Sequence, residues 1–310
     1  NRAEEKVFAV YDRRNTSKVA NIHDVMVETF ARIDARMPGG EGTGVPTGFT
    51  DLDKLTGGVH RSELIILAAR PSMGKTALAT NIAEHVAIHE NVPTLFVSLE
   101  MARVELAQRI LCSQGRIDAG KFRSGFLSGA EREQLVRVSN QLSKTPLFID
   151  DSSTRTVTEI GATARRLKRR HGLGFMVIDY LQLINPDDPR DPRQEQVAKM
   201  ARRLKGLARE LEIPILCLAQ LNRQAEMGRE GHRPRMSHLR ESGAIEQDAD
   251  VIMFIHREEY YNRDDESARG KGEVIIAKQR NGPTGDVELA WFDKYTRFEN
   301  LAQQPYDGFG

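Results

Sequence analysis

The stretch Leu64-Ile-Ile-Leu-Ala-Ala69-Arg-Pro-Ser-Met-Gly-Lys75-Thr76 decides the fold of this 310-residue chain. Its six leading apolar residues predict a buried strand, and a helical pattern follows over Lys75–His89. Strand, glycine-containing turn and helix in this order are typical of a phosphate-binding loop. The loop has Ala69 where the pattern has its first glycine, and we expect Pro71 and Ser72 to stiffen the turn enough for the change to be tolerated.

Four residues of this loop are candidate contacts to a nucleotide. Backbone N–H groups of the loop, with Ser72 and Gly74 in it, and the positive end of the helix suit anionic phosphates. The Lys75 ammonium adds a positive charge at the terminal phosphates, and the Thr76 hydroxyl is a candidate ligand for Mg²⁺. The ordinary alternative is a chance Gly-Lys-Thr at the start of a helix, which the preceding strand disfavours.

Short apolar segments alternate with helical ones from about residue 47 onwards. This alternation predicts right-handed crossovers and a parallel sheet with helices on its faces. The last two strand candidates are joined only by the turn Asn281–Gly285, which predicts an antiparallel end to the sheet. The predicted fold class is therefore α/β, with a mostly parallel central sheet. The strand candidates are Leu64–Ala69, Thr94–Leu99, Leu147–Asp150, Phe175–Asp179, Pro214–Ala219, Asp250–His256, Glu273–Lys278 and Val287–Phe292.

Nucleotide hydrolysis also needs a carboxylate near the metal and another that activates water. Asp179 and Asp150 both end strands and compete for the metal role, and Asp179 is favoured because a clear crossover helix precedes its strand. Glu100 follows the next strand after the loop helix and is the candidate base, with a solvated carboxylate as the alternative. Gln220 ends a further apolar strand, where a phosphate contact and an ordinary polar strand end are equally compatible with the sequence.

The overall charge does not indicate nucleic-acid binding. The chain has 45 basic and 44 acidic residues, a formal net charge of +1, so such binding requires a local patch. Leu221–Asp248 is a candidate because it is long, polar and rich in arginine. It has no aromatic residue, so we expect contacts to the sugar-phosphate backbone rather than base stacking.

The cysteine content and the apolar runs restrict the class of protein further. Cys112 and Cys217 are too few for a disulfide framework and fit a reducing compartment. The longest apolar runs have the length of strands, so no membrane span is predicted.

The N-terminal part of the chain has a different pattern. Apolar residues repeat at intervals of three and four through residue 37 and predict helix, and Pro38–Pro46 predicts a linker or turn. We therefore expect a helical linker segment over 1–42 and an α/β ATPase domain over 43–310. Because the chain starts at Asn1, we expect it to be a processed or truncated product.

Six segments, in order, carry a family resemblance: Pro46–Asp53, Ala69–Thr76, Ser98–Met101, Val177–Leu183, Leu239–Asp250 and Ala277–Pro283. Together they closely resemble the DnaB-type replicative DNA helicases of bacteria. The resemblance implies a RecA-like motor domain over about Thr43–Ala302, preceded by the family's linker helix. It also implies a homohexameric ring that encircles single-stranded DNA, moves 5′→3′ along it with ATP and Mg²⁺, and unwinds duplex at the replication fork.

The resemblance also implies roles for residues of the nucleotide site. The loop residues named above keep their phosphate and Mg²⁺ contacts, Glu100 is the catalytic base and Asp179 the carboxylate associated with Mg²⁺. Arg109 and Gln220 contact the terminal phosphate within the same subunit.

Further roles lie outside that site. Lys278 and Arg280 match the pair that reaches into the neighbouring subunit's site, and Arg240, Glu241 and Gly243 match the segment that follows the DNA backbone. The linker helix docks on the adjacent motor domain. The implied partners are a primase and a helicase loader, with the primase-contacting domain outside this sequence. The implied location is cytoplasmic and nucleoid-associated.

Two other classes share parts of this pattern. A strand-exchange ATPase of the RecA or RadA type has the same fold and phosphate loop, but the segment at Arg240–Gly243 and the linker helix favour the helicase. A nucleotide-gated scaffold without enzymatic activity needs no water-activating base, so Glu100, Asp179 and Arg280 argue against it.

Overall fold

The computed structural model describes residues 21–34, 44–221, 232–239, 243–262 and 264–301. The chain divides into two compact units, Asn1–Thr43 and Gly44–Gly310. The described part of the first unit is helix α1 (Ile22–Asp34). The remainder of the predicted N-terminal helical region lies outside the described residues. Five apolar side chains of α1 are exposed, namely Ile22, Val25, Met26, Val27 and Phe30.

The second unit is built on one nine-stranded sheet with the order β3-β2-β4-β5-β1-β6-β7-β8-β9. Neighbouring strands from β3 to β6 in this order are parallel, and β6 to β9 pair antiparallel, so the predicted α/β fold class is confirmed. The strands are β1 (Leu64–Ala69), β2 (Thr94–Ser98), β3 (Leu147–Asp150), β4 (Phe175–Asp179), β5 (Ile215–Gln220), β6 (Val251–His256), β7 (Lys271–Gln279), β8 (Gly285–Phe292) and β9 (Arg297–Asn300).

Helices cover both faces of this sheet. Helix α3 packs on one face, and α7 and α8 pack on the other, so the central strands are buried on both sides, as their unbroken apolar sequences predict. The α-helices of this unit are α2 (Thr50–Thr56), α3 (Lys75–Ile88), α4 (Arg103–Gly115), α5 (Ala119–Ser124), α6 (Gly129–Leu142), α7 (Val157–His171), α8 (Arg193–Leu211) and α9 (Gly243–Asp248). Short 3₁₀ turns lie at Leu181–Leu183, Met236–Leu239, Glu258–Tyr260, Glu266–Ala268 and Asp293–Tyr295.

The last strand, β9, was not predicted from the sequence. It has four residues with one buried apolar side chain, Phe298, so it carries no strand-length apolar pattern. The Phe298 N–H donates to Asn81 Oδ1 at 2.9 Å, which places β9 against α3. Strand β9 therefore helps to hold the helix that begins at the phosphate loop.

No helix in the described part of the chain combines the length and apolar composition needed to cross a bilayer.

Candidate functional site

Several predicted site residues lie at the carboxyl ends of neighbouring parallel strands. In the sheet register Ala69 at the end of β1 pairs with Gln220 at the end of β5, and Ser98 of β2 pairs with Asp179 of β4. Because parallel strands end at the same edge, this topology collects their terminal residues with the phosphate loop. We call this the nucleotide edge of the sheet.

Thr76, Lys75 and Asp179 form the centre of the nucleotide edge, with Asp179 buried and the other two half-buried. The Thr76 hydroxyl donates a hydrogen bond to Asp179 Oδ2 at 2.7 Å, and Lys75 Nζ lies 3.5 Å from Asp179 Oδ1. The Lys75 ammonium is also 4.1 Å from the centroid of the Tyr180 ring, a cation–π contact. The first two residues of α3 are thereby held against the end of β4.

The donor set at Asp179 fits a magnesium ion. Asp179 is fully buried, and its Oδ1 has no hydrogen-bond partner among the described residues. A buried carboxylate oxygen beside a threonine hydroxyl offers the hard oxygen ligands that Mg²⁺ prefers. Asp150, the competing candidate, lies on the edge strand β3 and pairs with Arg155 at 3.4 Å. The geometry therefore favours Asp179 for the metal role.

Glu100 and Arg109 lie close to this centre. Glu100 is exposed and follows Leu99, whose N–H donates to Asp179 O at 2.7 Å. Burial lowers the pKa of the Arg109 guanidinium, and the negative charges of Asp179 and Glu100 oppose that lowering. The same two carboxylates, together with burial, raise the pKa of the Tyr180 phenol. A partly desolvated arginine near two carboxylates is suited to a phosphate ligand.

Gln220 is fixed through its main chain. The Gln182 side chain accepts from Gln220 N at 3.2 Å and donates to Gln220 O at 3.1 Å. The Gln220 side chain is exposed at the nucleotide edge. Its backbone is therefore positioned while its amide remains able to contact a ligand.

The phosphate loop turns tightly beneath β9. Ser72 and Gly74 both have positive φ, 66° and 95°. A Cβ at Gly74 would lie 2.8 Å from the Phe298 ring, so only glycine fits between the loop and β9. Glycine is therefore required at position 74 both by its positive φ and by the close approach of the Phe298 ring.

A buried ionic cluster fixes the far half of α3. Glu84 is completely buried, and its carboxylate accepts from Gln114 of α4 at 2.5 Å and from Arg297 of β9 at 3.1 Å. Burial raises the pKa of Glu84 to about 7, against the opposing effect of Arg297. Helix α3, which carries Lys75 and Thr76, is thus joined to α4 and β9.

Lys278 and Arg280 lie at the opposite edge of the sheet. Arg280 N donates to Asp250 O at 2.9 Å, and Asp250 N donates to Leu64 O at 2.9 Å, so Arg280 is level with the start of β1. The phosphate loop follows the end of that strand, five residues further on, roughly 17 Å away along the strand. We call this side the cation edge.

Both cations bind backbone carbonyls at the end of α9. Lys278 Nζ donates to Glu246 O and to Ala249 O, the latter at 2.8 Å, and Arg280 Nη2 donates to Gln247 O at 2.6 Å. Cations at the carboxyl end of a helix compensate its unpaired carbonyls. The Arg280 side chain is 47% exposed, and within the chain it contacts α9 and lies 3.7 Å from Asp250 Oδ1.

The predicted DNA segment is described only in part. Arg240 and Glu241 lie outside the described residues, and Gly243 is the exposed first residue of α9. No heavy atom of the described chain lies within 4 Å of the position that a Gly243 Cβ would take. None of the described residues therefore blocks the approach to its backbone.

Comparison with known proteins identifies the family. Residues 44–300 match the model of the DnaB-like helicase C-terminal domain. The chain belongs to this family. It is 46% identical over 304 residues to the replicative DNA helicase DnaB of Geobacillus stearothermophilus and 45% identical to the replicative DNA helicase DnaC of Bacillus subtilis. Each match covers 97% of the chain and 66% of the relative, so the chain spans less than two thirds of the length of these curated relatives.

Two solved structures are similar to this DnaB-like chain. The ATPase domain of G40P superposes with a TM-score of 0.86 at 38% identity, covering 92% of this chain and 100% of that one. A DnaB-like replicative helicase, studied with its primase interactions, superposes with a TM-score of 0.84 at 36% identity, covering 96% of this chain and 72% of that one. Both agree with the RecA-like α/β architecture expected for the family.

Sequence reasoning missed contacts that the DnaB-like fold builds around the phosphate loop. The Arg257 guanidinium lies 4.5 Å from the centroid of the Trp291 ring and donates to Ser72 O at 3.5 Å. Arg70, in the loop itself, donates to the hydroxyl of Tyr261 at 2.9 Å. The second pair is separated by 191 positions, so no local pattern joins its members.

Proposed function

We propose that this chain is the motor part of an ATP-driven replicative DNA helicase. In this proposal it works as a ring-shaped homohexamer that moves 5′→3′ on single-stranded DNA and unwinds the duplex at the replication fork. The family match supports this activity over that of a strand-exchange ATPase. The observation that carries the proposal is the separation of Arg280 from the phosphate loop by the full length of β1.

Residues at the nucleotide edge bind and orient ATP in this proposal. Backbone N–H groups of the loop, around Ser72 and Gly74, hold the phosphates, and Lys75 neutralises their charge. Thr76 and Asp179 hold Mg²⁺, which supplies charge neutralisation to the phosphates. The support is the 2.7 Å bond between the Thr76 hydroxyl and Asp179 Oδ2, and the Oδ1 of that carboxylate, which accepts no hydrogen bond from the described residues.

Glu100 is the proposed general base. Its carboxylate is exposed, one residue beyond the N–H that donates to Asp179 O, so a water molecule has access to it. Glu100 would accept a proton from that water as the water attacks the terminal phosphate. Arg109 and Gln220 would contact the same phosphate from within the subunit.

Lys278 and Arg280 act on the nucleotide of a neighbouring copy in this proposal. A copy cannot bring its own Arg280 to its own phosphate loop, because about 17 Å of strand separates them. A cation supplied in trans stabilises the charge that develops on the phosphates during transfer, an effect of about 10³-fold to 10⁵-fold in rate. A ring supplies such a neighbour to every copy.

The remaining roles are proposed with the motor. Arg240, Glu241 and Gly243 would follow the DNA backbone, and open space at Gly243 supports close approach. Residues 1–42 would form a linker that docks on a neighbouring subunit, with 43–310 as the motor domain. The exposed apolar side chains of α1 support that docking. A primase and a helicase loader would be partners, and the location would be cytoplasmic and nucleoid-associated.

The rate of ATP hydrolysis per subunit, measured across a dilution series, tests the proposal. A site shared between copies predicts that the rate per subunit falls on dilution, as rings dissociate. Single-stranded DNA should raise the rate and shift its loss to lower protein concentration, because DNA inside a ring links the subunits. Duplex DNA without a single-stranded tail is the matched control ligand. A rate that is indifferent both to dilution and to single-stranded DNA would contradict the motor proposal.

A further inference from the structure

A stack of rings connects the phosphate loop with the segment that leads to Arg240. Tyr261, in the connection between β6 and β7, accepts the hydrogen bond from Arg70 at 2.9 Å. The face of its ring stacks on the His232 ring, with centroids 4.1 Å apart and planes tilted by 8°. One side chain therefore contacts the nucleotide loop through its hydroxyl and the DNA-side segment through its ring.

The two described ends of that segment lie beside the phosphate loop and beside Tyr261. At one end, Leu221 N donates to Ala69 O at 3.1 Å. At the other, His232, the first described residue after 222–231, stacks on Tyr261, and the chain runs from it through a 3₁₀ turn to Leu239. The second end therefore reaches the phosphate loop through Tyr261.

Further contacts fix the returning part, residues 232–239. The Arg233 guanidinium pairs with Asp286 of β8 at 2.5 Å and with Glu273 of β7 at 3.2 Å. Burial lowers the pKa of His238, and the positive charges of Arg235 and Arg70 lower it further, so Arg70 is also close to this stretch. A displacement of residues 232–239 would therefore change the surroundings of Arg70.

Arg70 is well placed to pass such a displacement on. It is only 9% exposed and directly follows β1, five residues before Lys75. A charge-assisted bond from a buried guanidinium is directional and strong, so a change at Tyr261 changes the position that Arg70 prefers. The loop between Arg70 and Lys75 is short, so its orientation depends on the position of Arg70.

We infer that Tyr261 is a positioning residue that couples residues 232–239 to the phosphate loop of the same subunit, so that the state of this stretch affects the nucleotide site. The coupling passes from His232 through the Tyr261 ring and hydroxyl to Arg70. This inference rests on the proposed motor function, and it assigns to the β6–β7 connection a role in the DNA stimulation of hydrolysis. Tyr261 itself touches neither DNA nor nucleotide in this role.

Two variants divide the connection at different points. Tyr261→Phe removes the bond to Arg70 and keeps the ring stack, whereas His232→Ala removes the stack and keeps the bond. Tyr260→Phe, the same change at the exposed neighbouring tyrosine, is the control. We measure kcat and KM for ATP with and without an oligo(dT) strand, at a protein concentration where rings are formed.

In both test variants the ratio of the DNA-stimulated to the basal kcat should fall by about fivefold or more, the lower limit of typical coupling between sites. Because coupling between binding sites is reciprocal, the change that a non-hydrolysable ATP analogue causes in oligo(dT) affinity should shrink by a similar factor. Tyr260→Phe should match the unmodified chain. Full stimulation in both variants, or a parallel fall of basal and stimulated rates, would overturn the inference.

Amide hydrogen exchange separates this inference from the motor proposal. In the unmodified chain the ATP analogue alone should change exchange in 232–239, and Tyr261→Phe should abolish that change. If DNA does not stimulate the unmodified chain, the motor proposal fails, and exchange still decides whether Tyr261 transmits the state of the phosphate loop. An analogue that leaves 232–239 unaffected in the unmodified chain, or an effect that persists in Tyr261→Phe, would refute the coupling.

Discussion

The two edges of the sheet differ in whether the functional side chains have their proposed ligands within the same chain. At the nucleotide edge, the half-buried Thr76 and Lys75 already bind the buried Asp179, in an arrangement that suits a phosphate and a metal. At the cation edge, Lys278 and Arg280 bind the carbonyls at the end of α9, with Arg280 half-exposed. One edge is preorganised within the chain, and the other holds cations whose proposed ligand belongs to another molecule.

The largest expected effect comes from Arg280→Ala. Hydrolysis by assembled rings should fall by about 10³-fold or more, because a cation that stabilises the transferring phosphate is lost. Nucleotide binding should be nearly unchanged, because the phosphate loop is at the other edge. Steady-state hydrolysis and the affinity for a fluorescent ATP analogue are measured on the same preparation.

Two further variants sharpen that comparison of the edges. Lys75→Ala should lose both nucleotide binding and hydrolysis, since its ammonium lies in the binding site itself. Arg137→Ala removes an exposed arginine from α6 and should change neither. Weakened nucleotide binding in Arg280→Ala would contradict the assignment of this residue to a neighbour's site.

A smaller effect, on stability, is expected from Glu84 on the nucleotide side. Its folded pKa of about 7 exceeds the ordinary value of 4.5 because the carboxyl is buried. The folded state therefore binds more protons than the unfolded state between these two values, and the free energy of unfolding falls as pH rises through them. Relative to the Glu84→Gln variant, whose side chain cannot ionise, the free energy of unfolding falls by about 3 kcal/mol over this range. The fall ends above pH 7.

Urea unfolding at a series of pH values measures this difference. Glu133→Gln, at an exposed position of α6, should follow the pH dependence of the unmodified chain. If the difference between the unmodified chain and Glu84→Gln were constant across pH 4.5 to 7, the carboxyl would not have a raised pKa.

The smallest effect is expected from Arg240→Ala in the DNA segment. One phosphate contact is lost, so the slope of log affinity against log salt should decrease in magnitude by about one. The affinity should fall to a similar extent for all DNA sequences, because a phosphate contact carries no sequence information. Fluorescence anisotropy with labelled oligo(dT) at several salt concentrations measures the slope, and an unchanged slope would remove Arg240 from the phosphate contacts.

The sheet was largely predictable because its central strands carry local signals. Unbroken apolar runs such as Leu64–Ala69 predicted strands covered on both faces, and the turn at Asn281–Gly285 predicted the antiparallel pair β7 and β8; both predictions are confirmed. Strand β9 was not predicted, because its stability comes from the packing of Phe298 on α3 and not from an apolar pattern in its own sequence. Helices α4, α5 and α6, between β2 and β3, were also not predicted, because they carry few buried apolar side chains.

The candidate site was predictable where residues end strands. Asp179 and Gln220 could be placed because parallel strands end at one edge, and the choice of Asp179 over Asp150 agrees with the contact to Thr76. The attachment of Lys278 and Arg280 to α9, and of Tyr261 to Arg70, depends on side chains that meet only after folding. No sequence spacing encodes those contacts.

The separation of the two edges has a genetic consequence. In the proposed ring, a copy that lacks Arg280 would keep an intact pocket and inactivate the pocket of the copy beside it, whereas a copy that lacks Glu100 would inactivate only its own. In a ring that mixes defective and normal copies, each defective copy of either kind would therefore remove one pocket. Mixed assemblies of the two defective kinds would regain activity wherever a copy lacking Glu100 lends its Arg280 to a copy that retains Glu100.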